Sequence, residues 1–279
     1  MQLPTALTIA GSDCSGGAGI QADIKTFSAH GVFGMSAITA VVAENTCRVA
    51  AIEEISPDMI RRQIEAVLED LPVGAIKLGM LPSAASMEAV SQALHGREGI
   101  PVVADPVMAA TNGGDLMQTG ALDTFLRRIL PLCLLLTPNL PEAETILGKP
   151  IRTPEECRQA ARAIQAMGVP WVLLKGGHLD GETADDLLFN GETFFSFPQK
   201  RIPTQNTHGT GCTLSAAIAA NLALGKPIPQ AVEEAKAYVT HAIAADLELG
   251  HGHGPIHHFY AWFPSQEPGN ICKEEHHGI

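Results

Sequence analysis

The sequence predicts an α/β fold in which a mostly parallel sheet is covered on both faces by helices. Three observations predict it. Short apolar runs alternate with longer runs of helical spacing, the pattern of repeated βα units. Hydrophobic residues make up 46% of the 279 positions and charged residues 17%, enough for a sizeable core. Polar or glycine residues follow nearly every predicted strand, as in parallel sheets that carry a ligand at their strand ends.

The elements follow in order. Residues 3–10 read as a first strand, with a glycine-rich loop to Gly19 and a helix over 20–30 that Gly31 ends. Residues 36–43 form a second strand, and 48–55 read as its hairpin partner. Beyond Pro57, helical spacing over 58–69 precedes a short strand at 75–78. The alternation continues with helix 83–94, strand 101–104, helix 121–129, strand 133–137 and helix 141–147. Residues 154–167 then give a helix and 171–174 a strand. Residues 187–189 and 193–197, joined through Asn190-Gly191, read as an edge hairpin. Two helices, 210–224 and 229–247, finish the pattern. No repeat or linker divides the chain, so residues 1–265 are expected to form one domain and the polar stretch 266–279 a frayed tail.

Composition removes several function classes. A formal net charge of −12 argues against nucleic acid and anionic membrane as partners. The six cysteines (Cys14, Cys47, Cys133, Cys157, Cys212, Cys272) contain no CxxC pair and suit reduced thiols in the cytoplasm. The N-terminus lacks a basic n-region, and the apolar run at 129–136 is far short of a membrane span.

The richest stretch is Asn206-Thr207-His208-Gly209-Thr210-Gly211-Cys212, which opens an apolar helix. A helix start presents unpaired N–H groups and the positive end of its dipole, so it attracts anions. Cys212 sits in that field, which lowers a thiol pKa and favours thiolate. His208 is a candidate partner base, which keeps an acyl-transfer reading open. The earlier loop, Gly17-Ala18-Gly19-Ile20-Gln21-Ala22, fits G-x-G-x-x-A, with Glu44 closing the next strand. Its glycines fall several residues after the strand, where a dinucleotide fingerprint needs them at the turn. Neither Gly-Lys pair (Gly148-Lys149, Gly225-Lys226) is followed by Ser or Thr, which excludes a P-loop.

Other strand ends supply charge. Asn139 and Glu142 have the spacing of a capping box, and Glu142 with Asp105 offers two carboxylates to hold Mg²⁺ through its water shell. Lys175, followed by Gly176-Gly177, is placed to meet a phosphate. The histidine pairs 257–258 and 276–277 and the run His251-Gly252-His253 lack ligand spacing and read as structural or tail residues.

These residues, taken together, resemble the hydroxymethylpyrimidine and phosphomethylpyrimidine kinases of thiamine biosynthesis, within the ribokinase-like superfamily. The matching blocks, in order across residues 6–263, are 10–21 (AGSDCSGGAGIQ), 39–46 (TAVVAENT), 105–108 (DPVM), 137–144 (TPNLPEAE), 175–179 (KGGHL), 206–216 (NTHGTGCTLSA) and 250–262 (GHGHGPIHHFYAW). The resemblance implies a three-layer αβα fold and ATP-dependent phosphorylation of 4-amino-5-hydroxymethyl-2-methylpyrimidine. A second phosphorylation then gives the pyrophosphate. It implies that Cys212 takes the place of the catalytic Asp of many relatives, at the end of the turn formed by Gly209, Thr210 and Gly211. It implies further that Glu44 binds the pyrimidine, with main chain near Gly11, Ala18 and Val42 and the Met80 side chain around it. Gln also occurs at the Glu44 position in relatives. Lys175, Asn139 and Thr207 are assigned to the nucleotide, Asp105 and Glu142 to Mg²⁺, and the assembly to a homodimer. Cys14 stands where relatives often have Pro, a change expected to loosen its loop.

Chemistry supports the same roles: a carboxylate accepts from the exocyclic amine, and phosphoryl transfer needs positioning and charge neutralisation more than covalent help. The nearest alternative is a pyridoxine or pyridoxal kinase of the same fold. A pyrimidine- or nucleotide-binding protein without catalysis is the alternative from another class.

Overall fold

The structure, a computed structural model, describes residues 3–110, 114, 116–177 and 182–263. Among the described residues, nine strands form one sheet in the order β3-β2-β1-β4-β5-β6-β7-β8-β9. These are β1 (Thr5–Asp13), β2 (Phe33–Asn45), β3 (Arg48–Glu54), β4 (Ala75–Leu78), β5 (Val102–Ala104), β6 (Leu135–Leu136), β7 (Trp171–Leu174), β8 (Asp186–Phe189) and β9 (Phe194–Phe197). The six strands from β2 through β1, β4, β5 and β6 to β7 run parallel; β3 at one edge and β8–β9 at the other are antiparallel.

The helices are α1 (Gly19–Ala29), α2 (Pro57–Asp70), α3 (Ala84–Leu94), α4 (Leu122–Thr124), α5 (Leu140–Leu147), α6 (Pro154–Gln165), α7 (Thr210–Ala223) and α8 (Ile228–Ala244). They split into two layers because successive strand side chains point to opposite faces. Leu7, Ile9, Ile76, Leu78, Val102, Leu136, Val172 and Leu174 pack with residues of α2, α3, α5 and α6. The alternating set Ala6, Ala75, Val103, Leu135 and Leu173 packs with α1, α7 and α8. Small side chains at Ala216, Ala217, Ala219 and Ala220, all fully buried, fill the inner stretch of α7. Being apolar all round, α7 is a core helix and not an amphipathic one.

Most elements lie where the sequence pattern puts them, and three differences have physical reasons. β1 runs on through Gly11-Ser12-Asp13, past a register shift between Ala10 and Ser12, because the long β2 continues to pair with it (Ser12 with Val41, Asp13 with Val42). The expected helix over 121–129 is only one α-turn, α4, that widens into a π-turn (Phe125–Ile129) and tightens into a 3-10 turn (Leu130–Leu132) around Pro131. β6 keeps only two residues of the five expected. The tail 266–279, His178 and the pair 276–277 lie outside the described residues.

From β1 the chain passes to β2 on one side, and later returns to β4 on the other. That reversal opens a crevice at the strand C-termini, where ligands of open α/β sheets bind.

Candidate active site

Two helix starts meet at this crevice. Gly209 caps α7 with φ +76, and a side chain there would put its Cβ 1.8 Å from the Gly17 carbonyl oxygen. Gly17 is equally confined, since its Cβ would lie 2.2 Å from the His208 ring. The turn before α7 is thus packed backbone-on-backbone against the turn before α1, which only glycine allows. The Gly17 and Ala18 N–H groups of the G-x-G-x-x-A loop are committed to Asp13, where a pyrophosphate would need them.

Asp13, the last residue of β1, ties both turns. Its Oδ1 accepts from Ser15 N–H at 2.7 Å; its Oδ2 accepts from Gly17 and Ala18 N–H at 3.0 and 2.8 Å and from His208 Nε2 at 2.9 Å. Burial alone would raise this carboxyl, but the His208 ring and these N–H donors outweigh it and hold Asp13 at about 2. Burial likewise works against the His208 charge, and Asp13 with Glu44 reverses that, so the imidazole is pushed up from its ordinary value. His208 is therefore a bracket between the helix starts, and the acyl-transfer reading loses its base. Asp13, Glu44 and His208 offer atoms within 4.8 Å of one another, yet the N–H donors already on both Asp13 oxygens make this an ion-pair network and not a metal cage.

Cys212, in the first turn of α7, departs from expectation. Burial, the largest influence, raises its thiol; Lys77 and the Gly19 N–H lower it; Asp23 and Asp105 raise it further, leaving it at about 11. The field of a helix start is outweighed by desolvation. Behind the turn lies a pair the sequence reading missed: Lys77 Nζ donates to Asp23 Oδ2 at 2.8 Å, with both side chains fully buried, and Thr8 Oγ1 donates to the same oxygen at 2.6 Å. Burial would lower Lys77, but Asp23, Cys212 and Asp105 raise it, so the ammonium stays charged. The signal was a lysine inside the apolar strand Ala-Ile-Lys-Leu.

The carboxylates gather on the other side of the turn. A Cβ on Gly211 would lie 3.2 Å from Asp105 Oδ2 and 3.3 Å from Lys175 Nζ. Lys175 Nζ donates to Asp105 Oδ1 at 2.6 Å and stands 4.0 Å from Glu142 Oε2. The capping box is also formed: Asn139 Oδ1 accepts from Glu142 N–H at 2.8 Å, and Glu142 Oε2 accepts from Asn139 N–H at 2.7 Å. Burial raises Glu142, Lys175 opposes, and Asp105 adds to the rise, bringing the carboxyl to about 7. Two buried carboxylates already gathered around one cation form a hard oxygen donor set that suits Mg²⁺.

Every residue that the sequence assigned to substrate, nucleotide, metal or catalysis lines one cavity of about 670 Å³. Gly11, Ala18, Val42, Glu44 and Met80 share its wall; a Cβ on Gly11 would lie 2.9 Å from Met80 Sδ, and Thr39 Oγ1 anchors the Met80 carbonyl at 2.7 Å. Burial, the largest influence, and Asp13 push Glu44 up, against His208. Cys14 does not loosen its loop: its Sγ donates to the Glu44 carbonyl at 3.2 Å and accepts from Glu44 N–H at 3.4 Å, stitching the loop to β2. Thr207, Thr210, Asn139 and Lys175 line the stretch around the glycine turn. Sequence reasoning missed the apolar wall of Ile202, Leu214, Val239 and Ile243 with Lys236 and Thr240 beside it; most of these fall on helices, where an apolar residue reads simply as core.

A sheet with this reversal, a glycine-capped helix N-terminus at its strand ends and a lysine between two carboxyl groups are features of a small-molecule kinase of the ribokinase-like class. Residues 13–257 match the family model described as phosphomethylpyrimidine kinase, and the chain belongs to that family. A hydroxymethylpyrimidine/phosphomethylpyrimidine kinase of Rhizobium meliloti is 51% identical over 261 residues, covering 92% of this chain and 98% of the relative. Among solved structures, a phosphomethylpyrimidine kinase of Clostridium difficile is 44% identical with a TM-score of 0.76, covering 87% of this chain and 100% of its own. An ADP complex of a Bacillus subtilis pyridoxal kinase has a TM-score of 0.86 at 37% identity, covering 92% and 98%. No described helix is long and apolar enough to cross a membrane.

Proposed function

We propose that this chain transfers the γ-phosphoryl group of ATP to the alcohol of 4-amino-5-hydroxymethyl-2-methylpyrimidine, and then a second phosphoryl group to the monophosphate, for thiamine biosynthesis. The observation that carries the reading is one cavity in which Glu44, an N–H-rich glycine turn ending in Cys212, and Lys175 share a wall. Glu44 accepts from the exocyclic amine while Val42, Met80 and the main chain near Gly11 and Ala18 hold the ring. The N–H groups of Gly209–Cys212 face the transferring phosphoryl oxygens, where fixed donors stabilise developing charge without reorganising. Lys175 leaves Asp105 for a phosphate oxygen, with Asn139 and Thr207 beside the nucleotide. Asp105 and Glu142 are the residues that would hold Mg²⁺ through its waters. When bound, Mg²⁺ neutralises the phosphate oxygens.

The alcohol oxygen bonds to phosphorus as the bridging bond to the departing ADP breaks, and the alcohol proton goes to the Cys212 sulfur. Because such transition states are loose, the proton leaves late. The thiol itself must first be deprotonated, and Lys77 and the Gly19 N–H are the groups that favour its thiolate. No covalent enzyme intermediate forms. The apolar wall of Ile202, Leu214, Val239 and Ile243 suits the adenine ring. A homodimer and a cytoplasmic location complete the proposal. Exposed Val41 and Ile52 on the β2–β3 ribbon support the first, and free Cys14, Cys47, Cys133, Cys157 and Cys212 the second.

Glu44 decides between this reading and a pyridoxal kinase, whose ring offers no exocyclic amine. The pyrimidine kinases have the higher identity and a pyridoxal kinase the higher TM-score; a shared backbone reports only the fold, so the site must decide. Comparing kcat/KM for the two alcohols, with wild type and Glu44→Ala, tests it. Glu44→Ala is expected to lower kcat/KM for the pyrimidine about 100-fold and for pyridoxal far less. Equal losses, or a wild type that prefers pyridoxal, would overturn it.

A further inference from the structure

The run Gly250–Gly254 lacks the spacing of a metal site and does something else. Three successive backbone N–H groups converge on one threonine of the β2–β3 turn. Those of His251 and Gly252 donate to Thr46 Oγ1 at 3.2 Å each, and that of His253 donates to the Thr46 carbonyl at 3.0 Å. Successive amides turned to one side form a concave nest for an oxygen. The glycines make the approach possible. Gly250 has φ +86 and its Cβ would lie 2.4 Å from Thr46 Oγ1; a Cβ on Gly252 would lie 2.2 Å from the Thr46 carbonyl.

The far end of the same loop is fastened to the catalytic turn. The Gly254 carbonyl accepts from His208 N–H at 3.0 Å, and a Cβ on Gly254 would lie 2.1 Å from Asn206 Oδ1. Asn206 Nδ2 in turn donates to Asp246 Oδ1 at 2.6 Å. Loop 250–254 therefore spans from two residues beyond Glu44 to the residue before Gly209. The ribbon it grips needs an anchor: β3 is an edge strand, half-buried only at Val49 and exposed at its other residues, and a two-stranded ribbon is marginal alone.

We propose that Thr46 is a positioning residue, clasped by the 250–254 loop so that Glu44 is held in register with the Gly209–Cys212 turn. This rests on the reading that Glu44 binds the pyrimidine. Thr46 does not touch the substrate; it acts through the placement of Glu44.

Thr46→Val keeps the side-chain shape and removes the acceptor. In ADP-release assays with hydroxymethylpyrimidine, its KM for the pyrimidine is expected to rise about tenfold, since the N–H groups of His251 and Gly252 both lose their acceptor and the ribbon loses its grip. KM for ATP should stay within about twofold, and Thr46→Ser should restore the pyrimidine KM. Gly252→Ala, which drives a methyl into the Thr46 carbonyl, should reproduce the Thr46→Val pattern. An unchanged pyrimidine KM in Thr46→Val, or an equal rise in KM for both substrates, overturns the clasp. Glu44→Ala, measured alongside, separates the two readings. A raised KM there with none in Thr46→Val sinks the clasp alone; no rise in either sinks the Glu44 contact and the clasp with it.

Discussion

Replacing Gly209 by alanine perturbs the site at its tightest point. The residue has φ +76, where an L side chain costs about 1–2 kcal/mol. The steric clash is the greater penalty. The new Cβ would sit 1.8 Å from the Gly17 carbonyl oxygen, and ordinary contact begins near 3.4 Å. That oxygen is backbone and has no rotamer to change, so one of the two helix starts must withdraw by roughly 1.5 Å. A displacement of about 1 Å in a positioned group can cost about 100-fold in rate, and loss of one oxyanion donor about 10²–10³. Gly209→Ala should therefore lower kcat at least about 100-fold in a coupled ADP-release assay. Thermal unfolding recorded on the same sample should show a folded protein with a lowered Tm. A variant with kcat within about threefold of wild type would refute the claim that these N–H groups act on the transferring phosphoryl.

The remaining expectations concern charge. Cys212→Ala should lower kcat about 10²–10⁴-fold, the usual worth of a positioned base. Wild-type kcat should climb with pH through the alkaline range, since the thiol lies at about 11, and the variant should lose that climb; undiminished kcat in Cys212→Ala would remove the base role. Asp13→Asn should cost roughly 2 kcal/mol of stability in urea unfolding, because the carboxyl falls from 3.8 to about 2 on folding. The sign sets the window: the lowered Asp13 contributes above 3.8 and fades as pH drops towards 2, while the raised His208 contributes fully below 6.5 and fades as pH climbs through its folded value. The difference between wild type and variant should thus be greatest between about pH 4 and 6.5, and a difference that does not vary with pH would contradict the pairing.

Local signals in the sequence carried the element order well. The Asn190-Gly191 hairpin formed as predicted, with Asn190 Oδ1 accepting from Glu192 and Thr193 N–H. The capping box at Asn139 and Glu142 was legible because its two partners are three residues apart. What sequence could not show was action at a distance. Asp13 and His208 are 195 positions apart, and Thr46 and His251 are 205. Neither pair has a periodicity or spacing to betray it. The Cys212 thiol departs from the sequence expectation for the same reason: the helix start is local and legible, whereas desolvation depends on everything packed around it. β1 runs beyond its expected end because glycine reads as loop, while pairing with β2 extends the strand through it.

The most direct test of the proposed activity is turnover of the purified protein with ATP, Mg²⁺ and hydroxymethylpyrimidine, following ADP release together with product mass. Pyrimidine-dependent ADP formation is expected, with the monophosphate appearing first and the pyrophosphate after it. Tight pyrimidine binding without ADP formation, or turnover with pyridoxal alone, would contradict it.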